Sequence, residues 1–332
     1  MILRVCAWLA AAIVVATIVL SIYVARNWDR TWDVPEPDLR ASTDPGVIAR
    51  GEYIVNGAAH CVVCHNGSVE EFERFVERGT PPSLAGGYPF GLGPIGTLYA
   101  KNLTPDRETG IGRYTDGQVA RMIRHGVRPD GQASIPQLMP FGDMSDADVV
   151  AVMSYLRSLP PVRREVPVNE WTTVGKVVRT FVAAARPRVD VHPPKDAPPH
   201  EPTVARGQYL VSIADCVGCH TTFNPLTGAP TAPSYSGGSP MEPVPLKGVD
   251  TSLWFVPPNI TPLEGSAFSK FPDRDTFVAR FKNGGRQYDG SPMPWESFRR
   301  MTPEDIGAIY EFLRTASPAG QRAPEDPRVK HE

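Results

Sequence analysis

The chain has 332 residues, carries a net charge of −2 and contains 36 prolines. Its proline share is about twice the ~5% of ordinary proteins, so long helices and large sheets cannot dominate the fold. A chain without a basic excess lacks the charge that neutralises phosphates, which excludes nucleic acid as an expected partner. Five cysteines, an odd number, exclude a simple disulfide framework.

The first predicted element is a membrane-spanning helix. The run from Val5 to Ala25 carries no charge. As a helix it would be about 32 Å long, against a bilayer core of about 30 Å. A cleaved signal peptide is the alternative, but its apolar region is shorter and ends in small residues, whereas Tyr23 is bulky. We therefore expect residues 1–35 to form an uncleaved anchor, with Cys6 as a small apolar residue in or near the lipid.

The remainder of the chain contains an internal repeat. Residues 50–65 read RGEYIVNGAAHCVVCH and residues 206–220 read RGQYLVSIADCVGCH. The repeat continues in NLTP and NITP, in MPF and MPW, and in a closing helix near the end of each copy. Repeated sequence of this kind indicates repeated structural units. We predict two homologous modules, 36–160 and 203–317, separated by a linker at 161–202 and followed by a flexible tail at 318–332.

Capping residues in the sequence indicate where each closing helix begins. Ser145 and Thr302 are predicted N-caps, and Asp148 and Asp305 follow three residues later as a carboxylate variant of the capping box. The proline-rich linker contains a predicted helix from Trp171 to Ala185. Apolar residues at i, i+3 and i+4 along this helix predict one buried stripe that packs across both modules. A membrane-surface or partner-docking helix is the alternative.

Two CxxCH motifs carry the chemistry. Their residues are Cys61, Cys64 and His65 in the first module, and Cys216, Cys219 and His220 in the second. At this spacing the two thiols reach both vinyl groups of one haem and the histidine ligates its iron, which is the pattern of c-type haem attachment. A zinc site needs CxxC pairs about 15–20 residues apart, and a thioredoxin-like dithiol needs a βαβ context. The sequence therefore predicts two covalently attached haem c groups.

The second axial ligand of each iron decides what the haem can do. Met139 and Met293 follow their histidines at matching distances, each before a proline and an aromatic residue. A thioether suits ferrous iron and raises the reduction potential, so these two methionines are the predicted axial ligands. Met144 and Met301 also recur in the repeat and are the alternatives.

Each module resembles a class I cytochrome c domain. The pair resembles membrane-anchored dihaem cytochromes c related to the electron-transfer subunits of periplasmic alcohol, aldehyde and gluconate dehydrogenases, through the CxxCH sites, RGxYxV and NLTPDRETGIG at 102–112. The resemblance implies an all-α, loop-rich fold of two tandem class I cytochrome c domains with an N-terminal transmembrane helix. It also implies that the first and last helices of each module cross, with these contacts: Gly51 or Tyr53 against Tyr155, and Gly207 or Tyr209 against Phe312.

Location and function follow from the same resemblance. Haem attachment in these families occurs outside the cytoplasm, which implies a single-pass protein of the bacterial inner membrane with its haem domains in the periplasm. The expected function is the relay of single electrons from a periplasmic or membrane dehydrogenase, or from a quinol-oxidising partner, to a respiratory oxidase or another cytochrome. No catalysis by the chain itself is expected. The alternatives are a dihaem peroxidase, which needs an iron that can open, and a cytochrome subunit of a terminal oxidase or thiosulfate-oxidising system.

Overall fold

The computed structural model describes residues 1–135, 138–244 and 246–330, and helices dominate its regular structure. The α-helices in this part of the chain are α1 (Ile2–Asn27), α2 (Pro45–Tyr53), α3 (Cys61–Cys64), α4 (Val69–Arg78), α5 (Asp116–His125), α6 (Asp146–Ser158), α7 (Thr173–Phe181), α8 (Val204–Ile213), α9 (Cys216–Cys219), α10 (Arg274–Asn283), α11 (Trp295–Phe298) and α12 (Pro303–Leu313). The short strands are β1 (Pro89–Gly91), β2 (Gly96–Tyr99), β3 (Glu170–Trp171), β4 (Leu253–Phe255) and β5 (Arg328–Lys330). The strands pair antiparallel in the orders β1-β2-β3 and β4-β5.

The N-terminal helix α1 is long and apolar enough to cross a membrane, although a signal sequence at this position would have the same properties. Its apolar side chains are exposed as far as Tyr23, whereas Val24 in the following position is buried. The C-terminal end of α1 therefore packs against the rest of the chain, and the preceding turns project away from it.

Two pairs of crossing helices form the centres of the two modules. Helix α2 crosses α6 in the first module, and α8 crosses α12 in the second. A Cβ atom on Gly51 would lie 1.9 Å from the carbonyl oxygen of Ala151, and one on Gly207 would lie 1.9 Å from that of Ala308. These distances are far below van der Waals contact, so each crossing requires glycine.

Each crossing was expected to place either the glycine or the tyrosine of the RGxY segment against the aromatic residue of the closing helix. The Cβ position of Gly51 is 2.8 Å from Cβ of Tyr155, and that of Gly207 is 2.7 Å from Cβ of Phe312. The glycines therefore make the contact with the closing helices. The tyrosines of the RGxY segments have a different partner, which lies in the other module.

The closing helices begin at the predicted caps. Oγ of Ser145 accepts from the N–H of Asp148 at 3.1 Å, and Oγ1 of Thr302 accepts from the N–H of Asp305 at 3.2 Å. The second half of the predicted capping box is wrong, because each aspartate binds an arginine and a tyrosine. The bidentate arginine partners are Arg50 for Asp148 and Arg206 for Asp305, at distances of 2.8 to 3.0 Å.

In each closing helix the backbone N–H of the N-cap residue, which a capping box would bond to the aspartate, instead donates to a tyrosine of the opposite module. Oη of Tyr53 donates to Oδ2 of Asp305 at 2.6 Å and accepts from the N–H of Thr302 at 3.1 Å. Tyr209 makes the same two bonds, at 2.6 and 3.1 Å, to the start of the closing helix of the first module. The two modules thus hold each other through a reciprocal contact.

The linker corrects the sequence analysis. Its single predicted helix is divided into β3, α7 and a 3₁₀ turn at Ala183–Ala185, and α7 packs against the end of α1 instead of across both modules. Three residues of the predicted stripe, Val174, Val177 and Phe181, are exposed and face outward. The other three, Trp171, Val178 and Val182, are half-buried. The outward direction arises because Arg179 lies on the buried side, where two backbone carbonyls accept from its guanidinium.

The expected flexible tail at 318–332 lies against the second module in its described part, and residues 331–332 fall outside that part. Strand β5 pairs with β4. The side-chain amide of Asn259 also donates to the carbonyls of Ala319 and Gln321, at 2.7 and 2.8 Å. Residues 319–330 are therefore held on the second module by hydrogen bonds of their main chain, to strand β4 and to the side-chain amide of Asn259.

Candidate haem sites

Each CxxCH motif contains a single helical turn, α3 or α9. Residues three apart on a helix lie on one face, so the two cysteines of each motif point in the same direction. The residue before each turn has a positive φ, 39° at His60 and 51° at Asp215. Both modules therefore enter the motif through the same left-handed residue, which ends the preceding helix and redirects the chain.

The four cysteines of the motifs form no disulfide bond with one another. Burial raises the pKa of Cys61 to about 12, of Cys64 to about 11 and of Cys219 to about 12, and it also raises the pKa of Cys216. The thiols are therefore neutral at physiological pH.

The histidines of the two motifs are oriented in the same way. Nδ1 of His65 lies 2.8 Å from the carbonyl oxygen of Lys101, and Nδ1 of His220 lies 2.7 Å from that of Pro258. A carbonyl oxygen only accepts, so Nδ1 carries the proton and Nε2 keeps its lone pair. Burial lowers the pKa of both imidazoles, which keeps them neutral. A metal-ligating histidine requires this combination of a neutral ring and a second nitrogen that donates to a fixed acceptor.

The two accepting carbonyls lie in loops whose role the sequence analysis missed. Lys101 and Pro258 each precede the asparagine of NLTP or NITP, a motif that served only as a marker of the repeat and of the family resemblance. Oδ1 of Asn259 accepts from the N–H and the hydroxyl of Thr261, at 2.8 Å each, and Asn102 makes the equivalent bonds at 2.9 and 2.8 Å. The repeated asparagine thus holds the loop that orients the histidine, and its recurrence was the available signal.

The methionine pairs differ in their surroundings. Met139 and Met293 are half-buried, and the N–H two residues later donates to the carbonyl of each at 2.9 Å, so their loops have the same local fold. Met144 and Met301 are core residues, 1% and 0% exposed. A close-packed core holds its side chains tightly, so the second pair is already engaged in packing. The first pair keeps part of its side chain available to an additional group.

The two motifs lie near the boundary between the modules. The ring of His60 packs edge-on against Phe298 of the second module, with centroids 5.7 Å apart. Burial is the main cause of the raised pKa of Cys219, followed by the charge of Asp215 and then by that of Cys64 in the other motif.

The donor set fits haem c. Each module supplies two neutral thiols on one helical face, a neutral imidazole with Nε2 available, and a thioether that is not enclosed in the core. These are the groups that link haem to a polypeptide and ligate its iron from both sides. The buried residues around each motif also provide the apolar shell that a porphyrin requires.

Comparisons with known proteins agree with this donor set, although no family model matches the chain. The fructose dehydrogenase cytochrome subunit of Gluconobacter japonicus is 30% identical over 295 residues, which cover 85% of this chain and 55% of the relative. The alcohol dehydrogenase (quinone) cytochrome c subunit of Gluconobacter oxydans is 34% identical over 190 residues, 54% of this chain and 36% of the relative. A dihaem cytochrome c-type protein of Cereibacter sphaeroides is 29% identical over 202 residues, 58% of this chain and 62% of the relative.

The chain spans about half the length of the fructose dehydrogenase relative. The dehydrogenase relatives are cytochrome subunits and not the catalytic subunits of their complexes. The chain is therefore a homologue of the cytochrome c subunits of fructose, gluconate and alcohol dehydrogenases, and its two motifs are consistent with a dihaem cytochrome subunit.

Proposed function

We propose that the chain is a dihaem c-type cytochrome that relays single electrons from a dehydrogenase or a quinol-oxidising partner to a respiratory oxidase or another cytochrome. The observation that carries this proposal is the matched orientation of His65 and His220, each with Nδ1 held by a backbone carbonyl and Nε2 available beside two cysteines. Bound haem would supply reversible one-electron chemistry at its iron. The relatives support a dehydrogenase as the donor, since their names place them in dehydrogenases.

The proposal gives each site residue one role. The cysteines form the thioether links to two haem c groups: Cys61 and Cys64 in the first module, and Cys216 and Cys219 in the second. The axial ligands of the iron are His65 with Met139, and His220 with Met293. An iron ligated on both faces leaves no position for a substrate, so the chain itself is proposed to carry electrons without catalysing a reaction.

The proposal also divides the chain into domains. We assign residues 36–160 and 203–317 to two tandem class I cytochrome c domains, with 161–202 as the connecting linker and 318–332 as the C-terminal segment. The matching helix crossings at Gly51 and Gly207 support this division. The reciprocal tyrosine contacts hold the domains together, so that the two haem groups keep a constant separation.

Residues 1–35 are proposed to anchor the protein in the bacterial inner membrane by a single pass, with both haem domains in the periplasm. The support is the length of α1 and the exposure of its apolar side chains from Ile2 to Tyr23. Burial of Val24 supports retention of the helix, because removal of α1 would expose the surface that this residue covers.

Absorption spectroscopy of the purified full-length protein tests the proposal. We expect two haem groups per chain and, in the oxidised state, the methionine-to-ferric charge-transfer band for both. The variant Cys219→Ser is the control, because it should lose a covalent link in the second module only. A high-spin ferric resting state with peroxide-dependent turnover would contradict the proposal and identify a peroxidase.

The partner is tested separately. We expect the full-length chain, isolated from its own membranes in mild detergent, to carry a dehydrogenase with it. We also expect addition of that dehydrogenase's substrate to reduce both haem groups. Reduction that does not depend on any co-isolated dehydrogenase would contradict the proposed donor.

A further inference from the structure

The linker helix α7 has an unusual distribution of residues. Three of its apolar side chains, Val174, Val177 and Phe181, lie on one face and are 51%, 39% and 47% exposed, and Val178 on the same face is half-buried. The buried residues of the same helix are Gly175, Arg179 and Thr180. A helix on the surface of a soluble domain normally shows the reverse arrangement, with its apolar stripe on the core.

The buried side prevents the helix from rotating. The guanidinium of Arg179 donates from Nε to the carbonyl of Trp28 at 3.0 Å and from Nη1 to that of Ala133 at 3.1 Å. A Cβ on Gly175 would lie 2.0 Å from the carbonyl oxygen of Ile95, so the helix backbone is in direct contact with its neighbour. The outward direction of the apolar face is therefore determined by the fold.

The exposed face is continuous with the N-terminal helix. The ring of Phe181 stacks on that of Tyr23, with centroids 5.7 Å apart and an interplanar angle of 20°. In a bilayer crossed by α1, an aromatic residue near the end of the helix occupies the interface between lipid and water. Phe181 is then held at the same depth as Tyr23.

A positive charge lies beside the apolar face. Arg26 is exposed in the last turn of α1 and lies three residues after Tyr23, on the same side of that helix. Cations next to an apolar surface match the phosphates and acyl chains of anionic lipids. This charge and the continuity with α1 favour lipid over a protein as the cover of the face.

We propose that α7 lies in the interface of the bilayer that α1 crosses, with Val174, Val177 and Phe181 at the boundary between headgroups and acyl chains. This inference rests on the proposed anchoring by α1. Because α7 is fixed to the first module, the module is held directly against the membrane surface. The anchor then sets the orientation of the first haem site relative to the bilayer, instead of only tethering it.

Photo-crosslinking of the full-length protein in nanodiscs of phosphatidylcholine and phosphatidylglycerol tests this placement. p-Benzoylphenylalanine replaces, one at a time, Val177 and Phe181 in α7, Ile13 in α1, and Leu226 in the second module. Leu226 is the matched control, since it is an apolar residue that is 62% exposed. Haem c absorbance verifies that each variant is folded. We expect the variants at positions 177, 181 and 13 to gain the mass of one lipid and the variant at position 226 to gain none.

The other outcomes separate the two proposals. Lipid adducts at position 13 without adducts at 177 and 181 would overturn the placement of α7 and leave the anchor intact. Absence of adducts at position 13 would overturn both the anchor and the placement. Equal labelling at 226 would overturn the placement as well. In native membranes, a crosslink from position 181 to another polypeptide in place of lipid would identify a protein as the occupant and overturn the inference.

Discussion

The hydroxyl of Tyr53 in the first module donates a 2.6 Å hydrogen bond to the carboxylate of Asp305 in the second, 252 positions away in the sequence. The carboxylate also accepts two bonds from Arg206 of its own module, at 2.8 and 3.0 Å. One buried aspartate therefore connects the start of its own helix, an arginine of the neighbouring helix and a tyrosine of the other module. A buried carboxylate with this many donors is costly to disturb.

Loss of the tyrosine hydroxyl measures the contact between the modules. We expect Tyr53→Phe to lower the free energy of unfolding by about 1–3 kcal/mol, because a buried charged acceptor loses one donor. Urea denaturation is the measurement. Tyr99→Phe is the control, since Tyr99 donates to Glu170 at 3.2 Å on the surface and should contribute little. Equal losses in the two variants would mean that the contact between modules has no special weight.

The same aspartate predicts a pH dependence. Burial alone would raise the pKa of Asp305, but hydrogen bonds from Arg206 and Tyr53 and the charge of Arg206 bring the net pKa below its usual value. An unfolded aspartate titrates near ~3.9, so the stabilising contribution is complete above about pH 4 and is lost as the pH falls through the folded pKa.

We therefore expect the free energy of unfolding, measured in urea between about pH 6 and about pH 2.5, to fall at the acid end of the range. In Tyr53→Phe the pKa of Asp305 should rise toward its usual value, so this fall should be shallower than in the unmodified protein. Parallel curves for the two proteins would contradict the role given to Asp305.

The helix crossings predict a severe effect of one methyl group. A Cβ on Gly51 meets a backbone oxygen that cannot move without separating the helices. We expect Gly51→Ala to lower the free energy of unfolding by at least about 3 kcal/mol and to reduce haem incorporation. The control is Gly91→Ala, because nothing lies within 4 Å of its Cβ position. Thermal unfolding compares the two, and a stable Gly51→Ala protein would show that the crossing is looser than described.

The axial ligands are distinguished by a matched pair of substitutions. Met139→Leu should abolish the charge-transfer band of the first haem and lower its reduction potential, since leucine cannot ligate iron. Met144→Leu should retain both properties and cost less than about 1.5 kcal/mol, because it conserves volume in the core. Redox titration and absorbance are the measurements. The opposite pattern would transfer the ligand role to Met144.

The asparagine of the NITP loop should act on the histidine through the backbone. Asn259→Ala removes the hydrogen bonds that hold the segment after Pro258. The carbonyl of Pro258 orients His220. We expect a loss of at least about 2 kcal/mol in stability and a shifted potential of the second haem alone. Asn224→Ala, which removes a cap from an exposed turn, should leave the potential unchanged. A shift in both haem potentials would argue against a local effect.

The caps were accessible from the sequence because they depend on local signals, and the helix crossings were implied by the resemblance to class I cytochrome c domains. Gly51 and Gly207 occupy equivalent places in the repeat, and Ser145 is followed by a helical pattern. The partner of Tyr53 was not accessible, because its hydroxyl bonds a residue in another module and periodicity contains no information on such contacts. The orientation of His65 depends in the same way on a carbonyl 36 positions away.

Helix α7 shows a different limit of sequence analysis. The spacing of Val174, Val177 and Phe181 correctly indicated one apolar stripe. The sequence analysis preferred the interior for that stripe over a membrane-surface or partner-docking helix, because the apolar stripe of a surface helix usually packs on the core. Two backbone carbonyls that accept from Arg179 decide the direction of the helix, and a sequence does not show where such carbonyls lie.

The tyrosine contact between the modules has the same composition in both directions. Tyr53 binds Asp305 and Tyr209 binds Asp148, so equivalent positions of the repeat meet as the halves of a two-fold symmetric dimer do. Such an isologous interface is saturated by two members. A third module of the same type could not bind at this surface, because both copies of the surface are already in contact. Any larger array of these modules would have to assemble through a different face.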